Sequence, residues 1–302
     1  MEILVFGAGA LGSLVGGLLA REHTVTLVGR DPHVAAVRES GLRIEGAAEA
    51  TVGPDARTDA AGLDTDLAVV TVKAGDVPAA AAALADGSHD TVWSLTNGLT
   101  EERLRETLGD RVLAGTATYG AELPEPGVVR CTGLGDLHAG ELDDDETESD
   151  RARSVADACR AAGVACTATA RMDTRRWRKL AVNAGINGVT ALARVRNEAV
   201  LADPGRPVAA RAARETARVA RAEGVDLSDE TAVDAVREVA AATADNRSST
   251  LQDVRAGRPT EVDAINGAVV RRGETAGVGT PTNRTLWELL AAWATANADT
   301  SG

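Results

Sequence analysis

Three polar residues recur at intervals of four in the stretch WRKLAVNAGIN, which covers residues 177–187. They are Lys179, Asn183 and Asn187. Because four residues make slightly more than one turn of an α-helix, the three side chains lie on one helix face. That face would present one ammonium and two carboxamides to a polar ligand. An ordinary solvent-exposed helix face is the alternative, and the spacing alone does not decide between them.

The lysine content supports a chemical role for this helix. Of the 32 basic residues only Lys73 and Lys179 are lysines, and all the others are arginines. Arginine can replace lysine where a surface charge suffices, but its guanidinium does not release a proton near neutral pH. Both lysines are therefore candidates for chemistry, although the chance survival of two lysines is the alternative.

A glycine-rich turn near the N-terminus predicts a dinucleotide site. The apolar run 3–6 predicts a buried strand, the motif GAGALG follows at 7–12, and an apolar helix comes next. In a GxGxxG motif between a strand and a helix, Gly7 permits a tight turn, Gly9 admits a pyrophosphate and Gly12 lets the helix pack. The helix N-terminus offers N–H groups and partial positive charge to the phosphates. A plain strand–turn–helix with incidental glycines is the alternative.

The end of the second predicted strand, 24–28, bears on the choice of cofactor. An NAD site usually carries an acidic residue there, whereas this chain has Gly29-Arg30. Arg30 can pair with a 2′-phosphate, which favours NADPH. The following Asp31 keeps NADH as an alternative, and Arg30 could equally be a solvated loop arginine.

Two further predicted strands are followed by polar residues. Strand 67–72 is followed by Lys73, and strand 91–96 is followed by Asn97-Gly98. Ligands of open α/β sheets bind beyond the carboxyl ends of the strands, so Lys73 and Asn97 are placed at the expected crevice. For Asn97-Gly98 a plain turn is the alternative, because Asn-Gly is a strong turn signal.

The whole pattern predicts an α/β fold with two domains. Residues 1–170 would form a Rossmann-type, doubly wound dinucleotide-binding domain, and residues 171–302 an all-helical substrate and catalytic domain. Within the first domain the pattern also predicts a small strand pair with an acidic loop at 41–66, strands at 112–118, 128–132 and 164–169, a Pro-containing turn at 124–127, a solvated acidic loop at 141–150 and a helix at 148–162.

The composition argues against several classes of protein. A net charge of −13 disfavours binding to nucleic acid or to anionic membranes. The many acidic residues, the near absence of lysine and the small-residue core are typical of a protein from a high-salt cytoplasm. Three cysteines without a CxxC pair and four scattered histidines suggest neither a disulfide framework nor a metal site. Because there is no signal peptide and no apolar run long enough to span a membrane, we expect a cytoplasmic protein.

Several motifs together resemble the ketopantoate reductase family (2-dehydropantoate 2-reductases), within the 6-phosphogluconate-dehydrogenase-like group. The resemblance spans nearly the whole chain in the family's order, and the motifs at 177–192 and 258–267 are much more specific than GxGxxG. The motifs are GAGALG at 7–12, VKAGDV at 72–77, TNG at 96–98, WRKLAVNAGINGVTAL at 177–192, SSTLQD at 248–253, RPTEVDAING at 258–267 and GTPTNRTLWELL at 279–290.

The resemblance implies roles for individual residues. Lys179 would donate the proton, and Glu261 would contact the cofactor side and assist catalysis. The resemblance and the strand ends together predict substrate binding for Lys73, Asn97, Asn183, Asn187, Asn197 and Ser249. The resemblance, the glycine turn and the strand ends together predict cofactor binding for Gly7, Ala8, Gly9, Ala10, Leu11, Gly12, Arg30, Lys73, Asn97, Ala121 and Glu261. The sequence around Asn197, RVRN at 194–197, departs from the family's usual pattern.

The implied activity is the NADPH-dependent reduction of 2-dehydropantoate to (R)-pantoate, in pantothenate and coenzyme A biosynthesis. The implied partner is this small-molecule substrate; no metal is implied, and a homodimer stays open. Two alternatives are a related 2-oxoacid or 3-hydroxyacid reductase on the same scaffold and a nucleotide-sensing regulator without turnover.

Overall fold

The structure, a computed structural model, describes residues 1–143 and 147–298, which divide into two units. The first unit contains residues 1–96 and 100–172, and the second contains residues 97–99 together with the chain from Asp173 onward. Compared with the predicted domains 1–170 and 171–302, the three residues that follow Thr96 therefore group with the helical part of the chain.

The first unit contains a large sheet and a small sheet. Its strands are β1 (Glu2–Phe6), β2 (Thr24–Val28), β3 (Leu42–Gly46), β4 (Ala50–Val52), β5 (Asp55–Arg57), β6 (Thr65–Val70), β7 (His89–Ser94), β8 (Val112–Ala117), β9 (Gly120–Glu125), β10 (Val128–Gly133), β11 (Leu137–Gly140) and β12 (Cys166–Ala168). The large sheet has the order β12-β11-β8-β7-β6-β1-β2-β5 and the small sheet the order β4-β3-β10-β9. Neighbours in the large sheet pair in parallel, except for the antiparallel pair β11 and β8.

Helices cover both faces of the large sheet. They are α1 (Ala10–Leu19), α2 (His33–Ser40), α3 (Val77–Ala85), α4 (Glu101–Leu108) and α5 (Asp150–Ala161). Successive side chains of a strand point to opposite faces, so Ile3 and Val5 pack in one core with α1 and α5, whereas Leu4 packs in another with α3 and α4. This arrangement confirms the predicted Rossmann-type α/β fold.

Two edge strands escaped the sequence pattern. Strand β5 joins the end of the large sheet, from within the segment 41–66 that we predicted as a strand pair and an acidic loop. Strand β9 continues through Pro124, so the turn predicted at 124–127 is confined to 126–127. Proline cannot donate a ladder hydrogen bond, and β9 tolerates it because it is the edge strand of the small sheet.

The prediction of a solvated loop at 141–150 is wrong at both ends. Glu141 accepts hydrogen bonds of 3.1 and 3.0 Å from Arg151, and Leu142 is buried in the core with α3 and α4. Helix α5 already begins at Asp150, and the Ser149 hydroxyl caps it. Residues 144–146 lie outside the described residues.

The second unit is helical. Its helices are α6 (Met172–Ala193), α7 (Gly205–Ala222), α8 (Asp229–Ala242), α9 (Ser249–Arg255), α10 (Ala268–Ala276) and α11 (Pro281–Ala298), with a π-helical turn at Asp263–Gly267. The first residue of α6, Met172, still belongs to the first unit. One core joins α6, α7, α8 and α10, and a smaller core joins the end of α6 to α9 and α11. Ser228 caps the N-terminus of α8, where its hydroxyl accepts a hydrogen bond from the Thr231 N–H. No helix among the described residues combines the length and the apolar character needed to cross a membrane.

Candidate active site

The glycine turn of the first unit leaves space where a ligand would lie. A Cβ on Gly7, which has φ +113°, would come within 2.8 Å of the Val72 nitrogen, and a Cβ on Gly12 within 2.2 Å of the Gly7 oxygen. The fold itself therefore requires glycine at these two positions. At Gly9 the nearest atom would be 3.9 Å away, so no protein atom excludes a side chain there. The turn thus offers open space beside the N-terminus of α1, which suits a pyrophosphate.

Two predicted cofactor residues flank this turn. Arg30 lies beyond the end of β2 and the exposed Lys73 beyond the end of β6, and β1 with its glycine turn runs between these strands. The Arg30 guanidinium donates to the Asp76 carboxylate at 3.1 Å, and both side chains are largely exposed. The ion pair therefore connects segments on either side of the glycine turn. Ala121, the remaining cofactor residue of this unit, is half-buried on β9 and pairs with Cys131.

A buried histidine, His33, which the sequence analysis did not single out, forms a hydrogen bond to the residue that follows the glycine turn. His33 Nδ1 accepts a hydrogen bond from the Gly127 N–H at 3.1 Å, so the ring proton is assigned to Nε2, which donates to the Ser13 hydroxyl at 2.9 Å. Burial lowers the pKa of His33 below its ordinary value. A neutral imidazole therefore joins α1, immediately after Gly12, to α2 and to the turn before β10.

The face predicted on α6 exists and is not solvent-exposed. Lys179 and Asn183 are half-buried, and Asn187 is buried. The Asn187 amide makes a long hydrogen bond of 3.5 Å to the hydroxyl of Ser249 in the first turn of α9. Two of the residues implied in substrate binding are thus adjacent, although 62 positions separate them in the sequence. An ordinary solvent-exposed helix face does not fit this burial.

Asn97 and Glu261 form a second polar pair within the second unit. The Asn97 amide donates to the Glu261 carboxylate at 2.9 Å, and both side chains are half-buried. The backbone between them packs closely, because a Cβ on Gly98, which has φ +92°, would lie 2.7 Å from the Ala264 oxygen. The Asn-Gly dipeptide therefore provides more than a plain turn: its glycine permits the contact that brings the asparagine to the glutamate.

Asn266 ties the π-helical turn after Glu261 to α6. Its fully buried amide donates to the Ala184 carbonyl at 3.2 Å and to the Asn283 side-chain oxygen at 2.9 Å. Asn283 donates in turn to the buried carboxylate of Glu215, which also accepts two backbone N–H groups at the start of α11. Our sequence reasoning included Asn266 only as a letter of the motif at 258–267 and gave it no role.

Asn197 has a different environment from the other predicted substrate residues. It is buried in a short 3-10 helix, and its amide donates to the Thr243 hydroxyl at 2.9 Å. Its side-chain oxygen is buried and has no hydrogen-bond partner. The contacts of Asn197 thus involve the end of α8, whereas those of Asn187 involve α9.

Two family models match the chain. The model described as "Ketopantoate reductase PanE/ApbA" matches residues 3–144, and that described as "Ketopantoate reductase PanE/ApbA C terminal" matches residues 171–294. The chain is 43% identical to a 2-dehydropantoate 2-reductase of Halobacterium salinarum, covering 96% of this chain and 98% of that relative. It is 39% identical to a 2-dehydropantoate 2-reductase of Archaeoglobus fulgidus, covering 96% of each.

Solved structures share this architecture over the full length. A PanE/ApbA family ketopantoate reductase from Ralstonia eutropha superimposes with a TM-score of 0.89 at 32% identity, covering 99% of this chain and 100% of that one. A D-mandelate dehydrogenase, solved with NADH and anilino(oxo)acetate, superimposes with a TM-score of 0.91 at 25% identity, covering 99% of each chain.

Proposed function

Because the chain belongs to the ketopantoate reductase family, we propose that it reduces the 2-oxo group of 2-dehydropantoate to the hydroxyl of (R)-pantoate with NADPH. The observation that carries the proposal is the set of polar residues in the second unit. Lys179, Asn183 and Asn187 lie on one face of α6, and Asn187 contacts Ser249. The relatives are oxidoreductases by name, which favours an enzyme over a non-catalytic regulator.

In the proposed mechanism Lys179 is the proton donor. A bound nicotinamide supplies the hydride. As negative charge develops on the ketone oxygen, the Lys179 ammonium stabilises it and donates a proton, a contribution of about 10²–10⁴-fold for general acids. Asn183, Asn187 and Ser249 orient the substrate through hydrogen bonds, which lowers the entropic cost of reaching the reactive geometry.

Glu261 has a supporting role in this proposal. Its carboxylate accepts a hydrogen bond from Asn97, which fixes the orientation of both side chains. With that amide N–H engaged by the carboxylate, the Asn97 carbonyl oxygen is directed away from Glu261 and is available to a ligand donor. Asn97 and Glu261 would thus act as one unit toward the cofactor and the substrate.

The first unit fits a dinucleotide. A side chain at Gly9 would not clash with any protein atom, so the space beside this glycine is open to a ligand. Gly9 also lies at the N-terminus of α1, which favours binding of phosphate. We propose NADPH over NADH because Arg30 lies where an acidic residue would bind the ribose of NAD. Lys73, beyond the neighbouring strand end, adds a second cation on the other side of the turn.

The test is steady-state reduction of 2-dehydropantoate by the full-length protein, with NADPH and NADH compared in high salt. We expect turnover with both the substrate and NADPH present, and a higher kcat/KM with NADPH than with NADH. Absence of turnover with 2-dehydropantoate, in protein shown to be folded and to bind NADPH, would refute the proposed reaction.

A second candidate is a reductase for other 2-oxoacids. The likeness to a D-mandelate dehydrogenase favours it, since that structure contains a ligand with an oxoacid group and NADH. 2-Oxoisovalerate discriminates the two, because it lacks the primary hydroxyl of 2-dehydropantoate. A higher kcat/KM for 2-oxoisovalerate than for 2-dehydropantoate would identify the protein as a reductase for other 2-oxoacids.

A further inference from the structure

A cavity of about 430 Å³ in the second unit concentrates positive charge. Its lining includes Arg194, Arg196, Arg247 and Arg255, with Glu198 as the acidic residue of the lining. Four cations and one carboxylate leave a formal charge of +3 around this cavity. The chain as a whole has a net charge of −13, so the positive charge of this cavity is opposite in sign to that of the protein.

Three of these arginines have not been neutralised by the protein's own acidic residues. Arg196 pairs with Asp245 at 3.3 Å, and the aspartate side chain is 91% exposed. Within residues 1–143 and 147–298, the side chains of Arg194, Arg247 and Arg255 make no hydrogen bond or ion pair. The chain has 45 acidic residues and pairs most of its other arginines with them, so three such cations around one cavity are unusual for it.

The backbone at Arg194 gives an independent indication that this side chain has a function. Arg194 follows the last residue of α6 with φ 57°, and it is the non-glycine residue with positive φ in the described part of the chain. The Val195 N–H donates to the Thr190 carbonyl at 3.1 Å, which is the closing hydrogen bond of a Schellman motif. Glycine is the usual residue at such a position, and this chain uses it after α10, at Gly277 with φ 70°. An arginine there strains the backbone and places a guanidinium at the cavity.

We propose that this arginine cavity binds a small molecule that carries at least two phosphate groups. Guanidinium groups pair with phosphate through two parallel hydrogen bonds, and several cations favour a multiply charged anion over a single carboxylate. The volume falls in the range of small-molecule sites and greatly exceeds that of one phosphate ion.

The cavity is distinct from the residues to which we assign catalysis. Leu251 and Arg255 both line it and are one helical turn apart on α9. Ser249 precedes Leu251 by two residues, which places it about 200° around the helix, on the opposite side. The cavity and Ser249, which contacts Asn187 and is proposed to bind substrate, therefore lie on different faces of α9.

The test is isothermal titration of the full-length protein with inorganic pyrophosphate, with inorganic phosphate as the comparison. The binding variant is the double substitution Arg247→Gln and Arg255→Gln. The matched control is Arg211→Gln with Arg214→Gln, which removes two exposed arginines from α7 in the same unit. The side chains of Arg211 and Arg214 likewise make no ion pair with the residues that the structure describes. We expect pyrophosphate to bind more tightly than phosphate, the binding variant to lose about tenfold or more in affinity, and the control to retain it.

Two further measurements keep the proposal falsifiable. Arg194→Gly relieves the backbone strain, so it should raise the thermal midpoint and still weaken pyrophosphate binding. The titration is repeated with Gly9→Ala, whose added Cβ occupies the open space at the glycine turn, and the affinity for pyrophosphate should be unchanged. Equal weakening in the control variant, equal affinity for phosphate and pyrophosphate, or loss of pyrophosphate binding in Gly9→Ala would each overturn the proposal.

Discussion

Replacing Asn266 by alanine would test whether the two polar pairs of the second unit depend on one buried tether. The Asn266 amide connects the π-helical turn to the Ala184 carbonyl on α6 and to Asn283. Glu261 lies five positions before Asn266, and Asn183 immediately precedes Ala184. We expect the substitution to loosen the segment of Glu261 from the helix of Asn183 and so to lower both the stability and kcat.

The size of the stability change follows from the individual groups. The Ala184 carbonyl lies inside α6 and keeps its helical hydrogen bond, so the loss there is one bond, about 0.5–1.5 kcal/mol. The Asn283 oxygen would be left buried without a donor, at about 1–3 kcal/mol. The substitution also removes the Asn266 oxygen, which is buried without a hydrogen-bond partner, and this offsets part of the loss. The net expectation is about 1–3 kcal/mol of unfolding free energy.

The assay combines urea unfolding with steady-state kinetics. Thr216→Val is the matched control, because it removes a buried hydroxyl bonded to the Ala212 carbonyl at 2.9 Å, in a helix that carries no proposed catalytic residue. Asn266→Ala should lower kcat by more than Thr216→Val does at a comparable loss of stability, and leave the KM for NADPH nearly unchanged. Equal kcat values for the two variants would refute the positioning role of Asn266, and unchanged stability would refute the energetic argument.

Three other predictions concern the catalyst, the cofactor and pH. Lys179→Arg should lower kcat by at least about 100-fold, because guanidinium does not donate a proton at neutral pH. The control Arg178→Ala, on the same helix, should leave kcat nearly unchanged. A near-normal kcat for Lys179→Arg would show that a positive charge alone suffices at this position. Arg30→Ala should raise the KM for NADPH and leave that for NADH nearly unchanged, and equal losses with both cofactors would contradict the assignment of Arg30. Burial lowers the pKa of His33, so the unfolded chain binds the imidazole proton at a higher pH than the folded chain does. The free energy of unfolding, measured with urea, should therefore fall as the pH drops below about 6.5. His33→Gln should flatten this pH dependence.

Long apolar segments made most of the fold predictable. A strand such as β1 is buried on both faces and has a continuous apolar run, and the GxGxxG motif that follows fixes its relation to α1. Strands β5 and β9 could not be found in this way. β5 has three residues and contains Asp55 and Arg57, and β9 contains Pro124, so neither shows a strand pattern. Both depend on pairing with strands already in place.

The candidate site was predictable to the extent that it lies on one helix. Spacing along α6 was enough to group Lys179, Asn183 and Asn187. The hydrogen bond between Asn97 and Glu261 spans 164 positions, and no local periodicity reports on a contact of that range. Only the family motifs placed these two residues in one site. The ion pair of Arg30 with Asp76 could not be predicted for the same reason, although Arg30 is a predicted cofactor residue and Asp76 lies in the motif at 72–77.

The π-helical turn at Asp263–Gly267 makes this part of the chain sensitive to its length as well as to its side chains. A π-turn is equivalent to one residue inserted into an α-helix, and each helical residue rotates the chain before it by about 100°. Val269 and Val270 hold the following helix in the core, so a one-residue deletion in the turn would leave that helix in place and swing Glu261 around the axis, away from Asn97. The number of residues in this turn is therefore constrained independently of the Asn266 side chain, and an insertion or deletion here would inactivate the enzyme without unfolding it.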